Sequence, residues 1–63
     1  MPVIMFYGPK LSTKEKEQLV KELANTASSI TSVPASKFVT LINEFEPENV
    51  GTGTELLANI IKE

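Results

Sequence analysis

The sequence predicts an α/β fold: a β-α-β unit with parallel strands, followed by a small C-terminal hairpin and a short helix, and assembled as a sheet shared between subunits. Two apolar runs, residues 2–7 and 37–45, are rich in the Val, Ile, Phe and Tyr that favour strands. Between them lies one long segment with apolar residues at helical spacing. Strand, helix, strand in that order makes a right-handed crossover between parallel strands.

The first strand is Pro2-Val3-Ile4-Met5-Phe6-Tyr7. It has no polar alternation, so both of its faces are expected to be covered. Pro2 fits the first position of a strand, where no ladder donor is needed. Gly8-Pro9 ends the strand. After Lys10 and Leu11, Ser12-Thr13-Lys14-Glu15 forms a capping box, with Ser12 as N-cap and Glu15 reaching back from N3. The helix it opens carries Leu19, Val20, Leu23, Ala24, Ala27 and Ile30 on one side. Charged and amide residues take the other side, with Glu17 and Lys21 spaced for an i,i+4 pair. Ser28, Ser29, Thr31 and Ser32 compete for the backbone, and Val33 precedes Pro34 and is pushed out of the helical region. The helix is therefore expected over about residues 13–31.

The second strand, residues 37–45, places Phe38, Thr40, Ile42 and Glu44 on one face and Val39, Leu41, Asn43 and Phe45 on the other. Each face is apolar in its middle. One helix covers one face of a two-stranded sheet, so another subunit is expected on the second. Glu46-Pro47-Glu48-Asn49 reads as a polar turn. Gly51 and Gly53, which suit positive φ or close backbone approach, make a tight turn or hairpin. Leu56, Leu57, Ile60 and Ile61 give residues 55–63 the spacing of a short helix.

A chain of 63 residues is one domain. At about 60 residues only roughly 60% of the unfolded surface is buried, and such chains draw on disulfides, metals or oligomerisation. Without Cys or His there are no disulfides, thiolate sites, His metal sites, triads or imidazole shuttles. Oligomerisation remains. The net charge of −2 comes from interspersed acids and lysines, with no basic patch for nucleic acid. No run approaches the ~18–20 apolar residues of a membrane span, and the amino terminus lacks the basic region of a signal peptide. A cytoplasmic protein without cofactor or metal is expected.

Pro2 is the candidate for chemistry. Proline at the second position is small enough for the initiator Met1 to be removed. Pro2 would then be a secondary amine, in a class that titrates near ~7.7–8.0 and so suits a general base at neutral pH. With Met1 attached, the same nitrogen is an amide and cannot act as a base. The plain alternative is a proline that merely begins a strand.

The whole chain resembles the 4-oxalocrotonate tautomerase family. Pro2 leads strand one, Ser12 opens the helix, and Pro34 precedes a strand ending in Ile42-Asn43-Glu44. The segment Asn49-Val50-Gly51-Thr52-Gly53-Thr54-Glu55 resembles the family's closing hairpin. The resemblance implies a tautomerase-like fold and a tautomerase or isomerase acting on 2-hydroxy-dienoates, 2-oxo acids and related enols. Its base would be the amino-terminal proline. It also implies a homohexamer built as a trimer of dimers, with pockets drawn from more than one subunit and a small carboxylate-bearing substrate. Three positions depart from the best-known members. Lys10 is the cation nearest their loop arginine, Val39 stands at their strand arginine, and Val50 at their hairpin aromatic residue. On this resemblance Lys10 would hold a carboxylate or polarise a carbonyl, against the plain alternative of a solvated loop lysine, and Val39 and Val50 would line the pocket, against plain core or interface packing. A non-catalytic oligomer that keeps this fold is the second reading, and the missing arginines favour it.

Overall fold

The computed structural model describes residues 1–61. Its elements run β1 (Val3–Gly8), α1 (Thr13–Thr31), a 3₁₀ turn at Ala35–Lys37, β2 (Val39–Glu44), a 3₁₀ turn at Pro47–Asn49, β3 (Gly51–Thr52), β4 (Glu55–Leu56) and α2 (Leu57–Ile60). β1 and β2 pair in parallel, from Val3 opposite Val39 to Gly8 opposite Glu44. β3 and β4 form a separate antiparallel hairpin. This is the α/β architecture expected from the sequence.

The bounds of α1 match the sequence reading because both ends are written in local chemistry. Ser12 Oγ accepts the Glu15 N–H at 3.1 Å, and Glu15 Oε1 accepts the Ser12 N–H at 2.9 Å. Two orphan donors of the first turn are satisfied reciprocally. At the other end Ser32 turns left-handed, with φ 64°, and its N–H donates to the Ser28 carbonyl at 2.9 Å. Thr31 Oγ1 donates to the Ala27 carbonyl at 2.8 Å and accepts the Val33 N–H at 3.3 Å. The hydroxyl thus takes over contacts the helix would have continued.

Several details differ from the sequence expectation. Gly8 belongs to β1, because Phe45 N–H reaches the Gly8 carbonyl at 2.9 Å and extends the ladder. Residue 37 lies in a 3₁₀ turn rather than in the second strand. Pro34 starts that turn, and the Lys37 N–H donates to its carbonyl at 2.9 Å. The turn at residues 47–49 is likewise 3₁₀, with Pro47 near its start. Of the two hairpin glycines only Gly53 has positive φ, at 63°. It is the first residue of a two-residue loop, the position a type II′ turn gives to glycine. The last helix is one turn, Leu57–Ile60, because Glu55 and Leu56 are used by β4. Lys62 and Glu63, which the sequence reading included in that helix, lie outside the described residues. Glu17 and Lys21 do not pair. Gln18 Nε2 instead donates to Glu22 Oε2 at 2.8 Å, and the one ion pair among the described residues joins Lys16 to Glu44.

Along β1 half-buried and exposed residues alternate. Ile4 and Phe6 are half-buried, as are Leu19 and Leu23 of α1. Met5 and Tyr7 are 59% and 64% exposed, and Leu41, opposite Met5, is 48% exposed. Among the described residues none is fully buried. The accessible surface of 5040 Å² exceeds the roughly 4,000 Å² typical of a folded monomer of this mass. The radius of gyration, 15.0 Å, exceeds the about 11 Å of a compact chain of this length. The helix covers one sheet face and leaves an apolar one open.

Candidate functional site

Pro2 and Val39 come together at one end of the sheet. The Val39 N–H donates to the Pro2 carbonyl at 3.0 Å, so Pro2 is locked to the head of β2 although the ladder is counted from Val3. Pro2 is half-buried, while Met1 projects into solvent at 90% exposure.

Lys10 and Val50 lie towards the other end. Lys10 follows β1, so the length of the strand, about 20 Å at ~3.3 Å per residue, separates it from Pro2 of the same chain. Its side chain is exposed and makes no ion pair with the described residues. Val50 is half-buried. Its carbonyl accepts the Leu57 N–H at 2.7 Å, which ties the hairpin to α2. It borders an apolar groove of about 430 Å³ with Tyr7, Gly8, Phe45, Pro47 and Leu57 among its other walls. The Tyr7 and Phe45 rings stack there at 6.1 Å between centroids and 15° between planes. Pro2, Lys10 and Val39 are not part of this groove. One chain therefore brings Pro2 to Val39, and Lys10 and Val50 to the opposite end, and does not bring the two pairs together.

Glu44 is the residue the sequence reading passed over. It ends β2, and its Oε2 accepts the Leu11 N–H at 2.8 Å and lies 3.1 Å from Lys16 Nζ. The Leu11 N–H, then the Lys16 ammonium, hold its carboxyl below the usual range; desolvation opposes them, and the charge of Lys10 adds the smallest lowering. The clue in the sequence was its place on the face shared with Ile42. That face turns towards the helix, so an acid there needs a partner from α1 or the connection before it. Asn43 adds a tie within the sheet, its Nδ2 donating to the Phe6 carbonyl at 3.3 Å.

The family model described as "Tautomerase enzyme" matches residues 2–60, from Pro2 to the end of α2. The chain belongs to the tautomerase family. Among solved structures, DmpI from Archaeoglobus fulgidus is 40% identical with a TM-score of 0.83, the match covering 90% of this chain and 98% of that one. DmpI from Helicobacter pylori keeps the fold at 19% identity, with a TM-score of 0.83 over 92% of this chain and 98% of that one. A heterohexameric 4-oxalocrotonate tautomerase from Chloroflexus aurantiacus is 23% identical with a TM-score of 0.85, covering 95% and 98% of the two chains. No curated protein sequence gave a match. The tautomerase family thus accounts for the parallel strands, the single long helix and the closing hairpin together.

Proposed function

We propose that this chain, once Met1 is removed, is a tautomerase in which the Pro2 nitrogen is the general base for keto–enol or 1,3-proton transfer on a small 2-hydroxy-dienoate or 2-oxo acid. The observation that carries this reading is the placement of Pro2: half-buried and fixed to Val39 at the head of the sheet, next to an exposed Met1. Partial burial disfavours the ammonium form of a freed amine, which leaves more neutral base near pH 7. The neutral amine takes the proton from the enol oxygen. The ammonium so formed delivers it to the carbon at the other end of the conjugated system, and the ketone forms with no further reactant. Lys10 binds the substrate's carboxylate as a point charge, and Val39 and Val50 supply apolar walls.

Because Pro2 and Lys10 lie at opposite ends of one chain, a complete site takes them from different subunits. The open apolar face of the sheet and the heterohexameric relative support a homohexamer. A non-catalytic oligomer is the second reading, supported by valines at positions 39 and 50 and by a chain without arginine clamps. The two readings separate in one assay, turnover of phenylenolpyruvate or 2-hydroxymuconate by protein whose mass confirms loss of Met1. The catalytic reading expects enol-to-keto conversion whose kcat/KM rises with pH along a limb set by the free amine. Conversion no faster than the uncatalysed rate would leave the non-catalytic oligomer.

A further inference from the structure

The connection between β1 and α1 is short and tied at several points. The Gly8 carbonyl accepts the Phe45 N–H at 2.9 Å, the Leu11 N–H donates to Glu44 at 2.8 Å, and the Ser12 N–H donates to Glu15 at 2.9 Å. Only Pro9 and Lys10 lie between the first two ties, and Pro9 has a fixed φ. The backbone of Lys10 is therefore bracketed, and Glu44 holds the bracket on its far side. This matters more for a lysine than for an arginine. An ammonium has no planar fork to impose an orientation, so its placement depends on its backbone. Lys16 occupies the same Glu44 oxygen at 3.1 Å, which keeps that carboxylate from capturing Lys10.

We propose that Glu44 is a positioning residue: it clamps the connection through the Leu11 N–H, is itself neutralised by Lys16, and so presents an unpaired Lys10 ammonium to a substrate carboxylate. The inference rests on the reading of Lys10 as the carboxylate-binding group and names how that group is placed.

The test is steady-state kinetics of the Met1-free chain on phenylenolpyruvate and on its methyl ester, which lacks the charge. Glu44→Ala raises KM for the acid roughly tenfold, the scale of one lost charge-assisted hydrogen bond, and leaves kcat nearly unchanged. Glu44→Gln keeps an acceptor for the Leu11 N–H and restores most of the affinity. Lys16→Met leaves Glu44 free to pair with Lys10 and raises KM for the acid. None of these variants changes KM for the ester. Hydrogen exchange reads the clamp without any substrate, because the Leu11 amide loses protection in Glu44→Ala and keeps it in Glu44→Gln. Equal Leu11 exchange in wild type and Glu44→Ala overturns the inference. So does an unchanged KM in Glu44→Ala when Lys10→Ala raises it. A silent Lys10→Ala, or a wild type inactive on phenylenolpyruvate, removes the underlying reading instead, and the inference with it.

Discussion

At the scale of single residues, the candidate groups sit at the ends of strands. Pro2 directly precedes β1 and its carbonyl accepts the Val39 N–H, while Glu44 ends β2 and its carboxylate accepts the Leu11 N–H and pairs with Lys16. Glu44 also makes the fold sensitive to acid. Its carboxyl titrates below the usual range, so the unfolded chain binds a proton there more readily than the folded one. The clamp therefore contributes its full stability above the ordinary carboxylate pKa and loses it as pH falls through the lowered folded value. Wild type is expected to lose stability over that acid window more steeply than Glu44→Gln, which cannot titrate. Chemical denaturation at a series of pH values checks this, and parallel curves for the two proteins would contradict it. Pro2 stands out in the sequence as a candidate because it leads an apolar run at position 2, with a proline that merely begins a strand as the alternative. Glu44 does not, because its partners lie 33 residues away in the chain for Leu11 and on a different element for Lys16. Strand alternation put Glu44 on the face shared with Ile42, a hint that it needs a partner, but spacing does not say which groups those are.

At the scale of elements, local rules succeeded where both ends of an element have their own chemistry. The capping box and the Val33-Pro34 stop gave α1 its bounds. Ser12→Ala removes the side-chain half of that box and is expected to cost about 1 kcal/mol. Denaturant unfolding at fixed protein concentration measures this, and an unchanged midpoint would show that packing alone holds the first turn. The short elements were less legible. The 3₁₀ turn after Pro34 is closed by local bonds, Lys37 N–H to the Pro34 carbonyl and Phe38 N–H to the Ala35 carbonyl, and the hairpin strands are two residues each, and elements this short carry no periodicity to read. The i,i+4 rule offered Glu17 and Lys21 as a pair, yet Lys16 reaches Glu44 across to the sheet instead. Glu17 and Lys21 are both exposed, and a surface pair at that spacing is worth only about 0.3 kcal/mol, too little to fix two long side chains.

The whole molecule shows a deficit that a single chain does not make good. With no fully buried residue among those described, and an apolar sheet face carrying Met5, Tyr7 and Leu41 open, the monomer leaves its surface incomplete. Covering apolar surface contributes roughly 25 cal/mol per Å², so association is the direct way to stabilise this fold. That need was legible from length, the lack of Cys and the absence of polar alternation in the strands. The way subunits meet was not, because a two-stranded sheet has two free edges and one free face, and the sequence does not rank them. Met5→Glu places an unpaired charge on the open face, which is costly to bury. It is expected to shift the assembly to monomers or to unfolded chain, as sedimentation velocity at micromolar concentration would reveal. An assembly of unchanged size would mean that this face is not the interface.

The role of Pro2 as base is tested most directly by turnover of phenylenolpyruvate with the Pro2 nitrogen free and with it blocked. The free form is the Met1-free chain, and the blocked form carries one extra residue ahead of Pro2, both verified by mass. A blocked nitrogen is an amide without basicity, and a positioned base typically supplies ~10²–10⁴-fold. The blocked chain is expected to fall to the uncatalysed rate while keeping its assembly and its unfolding midpoint. Equal turnover by the two forms would show that Pro2 is only the first residue of a strand.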